Sequence, residues 1–153
     1  MISIRPARED EIQDLQILND EVFTDNHKYD PDIFLGWAKS EKGRSYFAEV
    51  VSDQDSICLI AEDEGKKIGY IAAGPLHFDY RRSKYIEVQN MGVIPEYRSK
   101  GVGTMLLDEC LKIAKSKGYQ KAYVNSYIAN TKAVDFYRKN GFLDIDICLD
   151  KVL

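Results

Sequence analysis

The spacing of apolar residues changes near residue 100, and this change limits the possible folds more than any other feature of the sequence. Before it, residues 57–62, 67–73 and 85–94 form β-rich runs joined by short polar turns. After it, apolar residues recur at helical spacing from Val102 to Ala114, and Gly118 follows as a left-handed cap. Three strands with short connections predict an antiparallel meander, onto which the following helix packs.

The segments on either side predict a chain of mixed strands and helices. In the first half we expect a strand at 2–5, a helix at 10–22, a short helix at 33–37 behind an Asp30-Pro31 cap, and a helical turn at 45–51. Residues 76–80 are expected to extend the second strand of the meander. In the second half we expect a strand at 121–126, a helix at 130–139 and a last strand at 142–149. The predicted fold class is therefore α/β (α+β), with a mixed, mostly antiparallel central sheet flanked by helices, and the length suits one domain over 1–153.

The composition excludes several classes of protein. The chain is 44% hydrophobic and 30% charged, which fits a folded globular protein rather than a disordered one. No apolar run approaches the roughly 20 residues of a membrane span. Residues 1–6 lack the features of a signal peptide, so we expect a cytoplasmic location and no membrane partner. The net charge of −4 argues against a nucleic-acid partner.

The charge is unevenly distributed along the chain. Residues 1–55 hold 6 Lys and Arg against 13 Asp and Glu, whereas residues 56–153 hold 15 against 12. One interpretation is that these charges only keep the protein in solution. The other is that the basic part meets an anionic cofactor and the acidic part attracts a cationic acceptor.

The cysteines and histidines indicate neither a metal site nor a thiol nucleophile. Cys58, Cys110 and Cys148 are odd in number, far apart and set in apolar segments, which predicts small buried hydrophobic residues. His27 and His77 form no recognisable pattern with any of them. We therefore expect no metal.

The segment Arg-Ser-Lys-Gly-Val-Gly at 98–103 follows a predicted strand and opens a predicted helix. A helix N-terminus presents unpaired N–H groups and the positive end of the helix dipole, which together favour a phosphate. The glycines allow close approach of an anion, and Arg98 and Lys100 add positive charge. The plain alternative is a tight turn before a core helix. A dinucleotide fingerprint would need a third glycine where Leu106 stands, and the Gly-Lys-Ser/Thr of a P-loop is absent.

In its context this segment resembles the motif of the GCN5-related N-acetyltransferase (GNAT) family. The pattern R-x-x-G-x-G at 98–103 follows V-I-P at 93–95, as in that family. Further along, N-x-x-A-x-x-F-Y at 130–137 and G-F at 141–142 resemble a second family element. The resemblance implies a GNAT-like sheet whose fourth and fifth strands splay apart. It also implies acetyl-CoA as cosubstrate, bound in the gap between those strands.

The resemblance further implies which residues bind the cofactor. The pantetheine arm would hydrogen-bond the backbone at Met91 and Val93, and Asn130 would contact the same arm. The pyrophosphate would lie on a phosphate loop made of Arg98, Ser99, Lys100, Gly101, Val102, Gly103 and Thr104. Acetyl transfer would proceed by direct attack of an amine on the thioester, without an acyl-enzyme. Dimers are common in this family, so a homodimer is compatible with the sequence.

Two residues match the family's proton-transfer groups. Tyr137 corresponds to a tyrosine that lies beside the coenzyme and protonates the departing thiolate; simple aromatic packing is the alternative role. Glu87 corresponds to a glutamate that acts in some members as general base, directly or through water. A surface or substrate-orienting carboxylate is the alternative there. Strand alternation predicts that Glu87, Gln89, Met91 and Val93 share one face of the sheet, and a backbone N–H near Val93 would stabilise the oxyanion.

The acceptor is predicted only as a class. By resemblance, parts of 23–37 and 76–80 line its pocket, and these segments are acidic and aromatic. An amine with an apolar body fits both properties, although such aromatic residues are also common in cores. We therefore expect a small amine or amino compound, with a protein N-terminus or lysine as the alternative. A non-catalytic acyl-CoA-binding domain on the same fold is a further alternative, against which the presence of Glu87, Asn130 and Tyr137 weighs.

Overall fold

The computed structural model describes residues 1–153 and contains five strands and four helices. The strands are β1 (Ile2–Pro6), β2 (Ile57–Asp63), β3 (Lys66–Leu76), β4 (Tyr85–Val93) and β5 (Lys121–Val124). The helices are α1 (Ile12–Asn26), α2 (Glu41–Ser52), α3 (Val102–Ser116) and α4 (Thr131–Lys139). None of the helices combines the length and the apolar character that a membrane crossing requires.

The strands form one mixed sheet in the order β1-β2-β3-β4-β5. The first three neighbouring pairs are antiparallel, and β5 runs parallel to β4. The β2–β3 hairpin turns through Glu64 and Gly65, which have φ angles of 48° and 83°, as a tight two-residue turn demands. The predicted meander and the predicted fold class are confirmed.

The two faces of the sheet are buried by different helices. On one face α3 packs its stripe of Val102, Leu106 and Cys110 against β2, β3 and β4. On the other face Leu15 of α1 and Phe47 of α2 pack against the sheet. Each fully buried leucine side chain stabilises the fold by about 2 kcal/mol. The central strands β2 and β3 are covered on both sides, which explains their nearly continuous apolar runs.

The connection between α1 and α2 differs from the prediction. Residues 33–37 form turns, not a helix, and Asp30 instead accepts a hydrogen bond from the backbone two residues on, a local bond that competes with helix formation. The following helix is longer than predicted and starts behind Ser40, whose hydroxyl accepts from the Gly43 N–H at 3.3 Å. Gly43 lies inside this helix, and a Cβ at this position would collide with the carbonyl oxygen of Ala38.

The C-terminal segment also differs from the prediction. Residues 142–149 do not form a strand, because no strand edge of the same chain meets them, and residues 143–153 make no backbone–backbone hydrogen bond. Cys148 is exposed, contrary to its predicted burial, whereas Cys58 and Cys110 are buried. Two strands are shorter than predicted, since β3 ends at Leu76 and β5 ends at Val124.

Candidate active site

The phosphate loop presents a row of backbone N–H groups that have no partner in the chain. None of the six N–H groups from Ser99 to Thr104 donates a hydrogen bond. The chain turns here through Ser99 and Gly101, with φ angles of 60° and 83°, and α3 begins immediately after. The row borders a cleft of about 300 Å³ whose wall includes Phe136. Aligned free donors at the start of a helix suit an anion.

Arg98 braces this loop against two other elements. Its Nε donates to the carbonyl oxygen of Val93 at 2.8 Å, and its Nη2 lies 2.6 Å from Asp25 Oδ2 at the end of α1. The Arg98 side chain is 44% exposed at the rim of the cleft, where an anion can reach it. Lys100 stays close by, with Nζ 5.1 Å from the centre of the Tyr97 ring. The bracing role of Arg98 was not predicted.

A gap opens between β4 and β5. The two strands pair only as far as Val88 on β4, although β4 continues to Val93. The Ile94 N–H points towards β3 and donates a hydrogen bond to the carbonyl oxygen of Ile68 at 2.9 Å. Alternation along the strand then turns the N–H groups of Val93 and Met91 to the open side. The predicted splay is present, and both backbone groups predicted to bind pantetheine face it.

A β-bulge in β4 overturns the predicted arrangement of its side chains. The register against β3 shifts after Ala72, which leaves Gln89 as an extra residue of β4. The inserted residue reverses the alternation, so the prediction of one shared face was wrong. Met91 and Val93 pack on the α3 face with the larger core cluster, while Glu87 lies on the α1 and α2 face.

Glu87 is half-buried and has no hydrogen-bond or ion-pair partner in the chain. Its neighbour across the parallel pairing is Tyr123 of β5. Burial raises the pKa of the Glu87 carboxyl above its ordinary value, because the charged form loses hydration. A carboxylate with a raised pKa is a stronger base, which suits the role predicted for it.

Tyr137 lies in α4 and packs on the opposite face of the sheet. Its ring is in edge contact with Phe136 and Phe142, at centroid distances of 5.2 and 5.5 Å. Burial raises its pKa to about 12, so the hydroxyl keeps its proton at neutral pH. That hydroxyl has no hydrogen-bond partner in the chain and is therefore free to donate.

Asn130 has a structural role that was not predicted. It caps α4, since its Oδ1 accepts from the Ala133 N–H at 3.2 Å. Its backbone N–H donates to the carbonyl of Tyr127 at 2.9 Å. These bonds leave its side-chain Nδ2 without a partner in the chain, so it can still donate to a ligand.

A chain of polar side chains beside Glu87 was missed by sequence reasoning. Buried Asn19 of α1 donates from Nδ2 to Tyr70 Oη at 2.7 Å and to Asn90 Oδ1 at 3.1 Å. Tyr46 of α2 donates to Gln89 Oε1 at 2.7 Å. These bonds hold the bulged part of β4 against both helices. The available signal was a polar residue, Asn19, within the apolar stripe of a predicted helix.

Aromatic side chains from both predicted acceptor segments lie on this face of the sheet. The rings of Trp37 and Tyr46 are 5.8 Å apart, and Tyr46 contacts the bulge. On the other side, the Phe78 ring lies 5.5 Å from that of Tyr123, the β5 neighbour of Glu87. Two acidic residues of the segment 23–37 have partners within the chain: Asp25 pairs with Arg98, and Asp30 accepts from the hydroxyl of Tyr127 at 2.8 Å. Phe34 and Tyr80 are exposed.

The splayed sheet and the phosphate loop are features of the acetyltransferase class, and comparison of the sequence with known proteins gives the same class. The sequence matches the model of the acetyltransferase (GNAT) family over residues 13–142, and the chain belongs to this family. It is 23% identical over 146 residues to an uncharacterized N-acetyltransferase of Methanocaldococcus jannaschii. That alignment covers 95% of this chain and 62% of the relative, so the chain spans less than two thirds of that relative's length.

Solved structures share the fold. The PaiA N-acetyltransferase of Thermoplasma acidophilum in complex with coenzyme A superimposes with a TM-score of 0.82 at 23% identity, over 97% of this chain and 93% of that one. The aminoglycoside N-acetyltransferase AAC(6')-Iy in complex with CoA gives a TM-score of 0.77 at 15% identity, over 100% and 95%. Both of those structures hold the coenzyme.

Proposed function

We propose that the protein is an acetyl-CoA-dependent N-acetyltransferase that acetylates the primary amine of a small molecule by direct attack. One observation carries the proposal: the gap between β4 and β5 joins the face that bears Glu87 to the face that bears Tyr137. A thioester in that gap has a base on one side and an acid on the other. An acyl-enzyme is not needed, and burial raises the pKa values of Cys58 and Cys110 to about 12, which makes both poor nucleophiles.

The coenzyme would be held mainly by backbone groups. The free N–H groups from Ser99 to Thr104 would bind the pyrophosphate, with Arg98 and Lys100 supplying positive charge at the rim. The N–H groups of Met91 and Val93 would bind the pantetheine arm as an added strand does, and Asn130 Nδ2 would donate to the same arm. Tyr137 would lie beside the reacting sulfur.

The reaction needs a base to deprotonate the amine and an acid to protonate the departing thiolate. Glu87, directly or through a water, takes a proton from the ammonium group of the acceptor, because an alkyl ammonium cannot attack. The neutral nitrogen then forms a bond to the thioester carbon, and the oxyanion accepts a hydrogen bond from the Val93 N–H. As the C–S bond breaks, the thiolate takes the proton of the Tyr137 hydroxyl, and the nitrogen gives up its excess proton through water to the resulting phenolate. Glu87 returns its proton to solvent, so the products are a neutral amide and CoA.

The surroundings of Glu87 support a small amine with an apolar body as the acceptor. Tyr46 and Trp37 lie towards α2, and Phe78 and Tyr123 lie towards β5, so flat apolar surfaces border the carboxylate on two sides. The structurally similar AAC(6')-Iy is by its name an aminoglycoside N-acetyltransferase. A protein N-terminus or lysine would have to enter between the same aromatic rings.

The proposal is tested in two stages. Thermal unfolding is first followed with CoA, NAD and ATP, and we expect stabilisation by CoA. Thiol release from acetyl-CoA is then measured with small amines, amino sugars and amino acids, in parallel with peptides that carry a free N-terminus or a lysine. Absence of stabilisation by CoA would overturn the coenzyme assignment. Turnover with peptides alone would overturn the small acceptor, and CoA binding without any turnover would support the non-catalytic alternative.

A further inference from the structure

Asn19 of α1 is a polar residue that lies completely inside the protein. Its exposed fraction is 0%, and its neighbours on the helix, Leu15 and Leu18, belong to the apolar core. Its Nδ2 donates to Tyr70 of β3 and to Asn90 of β4, while its buried Oδ1 has no partner in the chain. A buried acceptor without a partner lowers stability. Core packing alone therefore does not explain an asparagine at this position.

The strand residue that Asn19 holds comes directly after the β-bulge of β4. Gln89, the extra residue of the bulge, is held as well, because the Tyr46 hydroxyl of α2 donates to its Oε1 at 2.7 Å. The Nδ2 of Asn90 lies 3.4 Å from the same hydroxyl. Side chains of α1 and α2 thus hold two consecutive residues at the point where the bulge interrupts the regular pairing with β3.

The bulge decides which backbone groups of β4 face the gap. At the start of the strand the even-numbered residues point towards β5, since the carbonyl of Lys84 accepts from the Lys121 N–H at 3.2 Å. An unbroken strand would keep the even-numbered residues on that side. Beyond the bulge the order is reversed, because Ile94 donates to β3. For this reason Met91 and Val93 turn their N–H groups to the gap.

α1 also holds the phosphate loop, but through a different contact. Three residues after Asn19, Val22 lies so close to β4 that a Cβ on Gly92 would collide with its Cγ2. At the end of the helix, Asp25 pairs with Arg98 of the phosphate loop at 2.6 Å. One helix therefore supports both proposed halves of the coenzyme site, and the two supports can be removed separately.

We propose that Asn19 is a positioning residue for the coenzyme, which holds the bulge in the register that turns the Met91 and Val93 N–H groups to the pantetheine arm. The inference rests on the proposed contacts of those two groups with the arm. Asn19 itself touches no substrate and transfers no proton. Loss of its bonds should weaken binding of pantetheine and leave the phosphate loop, which Asp25 holds, in place.

Asn19→Leu tests this role, because leucine has a similar volume and cannot bond to Asn90. Calorimetric titration is carried out with CoA and with 3'-phospho-ADP, which carries the pyrophosphate of CoA but not its pantetheine arm. The dissociation constant for CoA should rise about tenfold, as expected for the loss of roughly one hydrogen bond, and that for 3'-phospho-ADP should not change. Equal weakening of both ligands, or an unchanged affinity for CoA, would overturn the proposal.

The matched control is Gln16→Leu, which removes a second buried polar side chain of α1. The Gln16 Nε2 donates to the carbonyl oxygens of Ala38 and Ser40 at 3.0 and 3.3 Å, before α2 and not in β4. This variant should unfold at a lower urea concentration than the wild type and bind CoA as the wild type does. If it lost CoA affinity as selectively as Asn19→Leu, any buried bond of α1 would have the same effect, which would refute the assignment to Asn19.

Asn90→Ala breaks the same bond from the strand and changes a half-buried residue, so the test does not depend on the folding of a core variant. It should reproduce the selective loss of CoA affinity. The double variant Asn19→Leu/Asn90→Ala should bind CoA about as well as either single variant, because the second substitution removes a bond that is already broken. Additive losses would contradict the shared role. A wild-type chain that does not bind CoA would instead overturn the proposed coenzyme site, and with it this inference.

Discussion

Burial acts in the same direction on Glu87, the proposed base, and on Tyr137, the proposed acid. It raises the pKa of both groups. For the carboxyl this makes the charged form a stronger base, whereas the phenol stays protonated at neutral pH but becomes a weaker acid. Because the two side chains lie on opposite faces of the sheet, they do not contact each other. A substitution of one should therefore leave the surroundings of the other unchanged.

Tyr137→Phe removes the proposed acid and keeps the ring contacts with Phe136 and Phe142. We expect kcat to fall about 100-fold, since a positioned acid contributes 10²–10⁴-fold, while the KM for acetyl-CoA changes little. Steady-state thiol release measures both constants. Tyr119→Phe is the control, because it removes a hydroxyl that is bonded elsewhere, to the carbonyl of Asp55. Undiminished turnover in Tyr137→Phe would exclude the acid role.

Glu87→Gln tests the base through the pH profile. In the wild type, kcat/KM should fall as pH drops through the raised pKa of Glu87, because protonation removes the base. In the variant the rate should be lower at neutral pH, and this acid limb should be absent. Glu64→Gln, in the β2–β3 turn, should leave the profile unchanged. An acid limb that persists in Glu87→Gln would assign it to another group.

The conformation of the phosphate loop could be predicted because it depends on a local sequence pattern. Ser99 and Gly101 adopt their positive φ angles within one turn, so the spacing of the glycines alone indicated the free N–H groups. The bulge at Gln89 and the bonds from Asn19 depend on contacts between α1, α2 and β4. No spacing within one segment encodes such contacts, and for that reason the face of Met91 was predicted wrongly.

At the scale of elements, the left-handed glycine before α3 can be tested against a matched turn. Gly101→Ala places a side chain at φ 83°, which should lower stability by about 1 kcal/mol. It should also weaken CoA binding, because a changed loop backbone would no longer align the free N–H groups that are proposed to bind the pyrophosphate. Gly65→Ala strains the same φ angle in the β2–β3 turn and should cost similar stability without affecting CoA. Calorimetric titration and urea unfolding separate the two effects.

A second element-level prediction concerns the connection between β1 and α1. Glu11 is 2% exposed and is held by Arg5 at 2.7 Å; that bond, together with the backbone N–H of Arg8, lowers its pKa to about 2 against 4.5. A lowered pKa stabilises the fold above pH 4.5, and this stabilisation is lost as pH falls towards 2. Glu11→Gln should cost about 2 kcal/mol at pH 7 and less at pH 3, where the stabilisation is only partly lost.

Urea unfolding at the two pH values measures this difference. Glu41→Gln, which changes an exposed glutamate at the start of α2, is the control and should be neutral at both. An equal loss of stability at pH 7 and pH 3 for Glu11→Gln would mean that packing, and not charge, accounts for the role of Glu11.

Elements with strong internal periodicity were predictable, and elements defined by their neighbours were not. β2, β3, β4 and α3 follow from alternation or from a helical stripe. The 33–37 segment has helical spacing, but Asp30 bonds to its own backbone and the chain turns instead. Residues 142–149 have the alternation of a strand but form none, because no strand of the chain pairs with them.

At the scale of the molecule, the arrangement of helices on the two faces follows from the order of elements. α1 and α2 precede most of the sheet and cover one face, while α3 and α4 follow and cover the other. Family resemblance anticipated the splay of β4 from β5. Strand pairing rules alone do not predict it, because they favour continued hydrogen bonding along both strands.

A gap that opens on both faces has a consequence for the kinetics. Two substrates that enter from opposite faces of the sheet do not obstruct each other, so each can bind or leave while the other is present. Initial-rate lines at several fixed amine concentrations should therefore intersect in double-reciprocal plots, whereas parallel lines would indicate two half-reactions. A compound that covalently joins an amine acceptor to CoA through the gap should bind far more tightly than either half, because the second half binds intramolecularly.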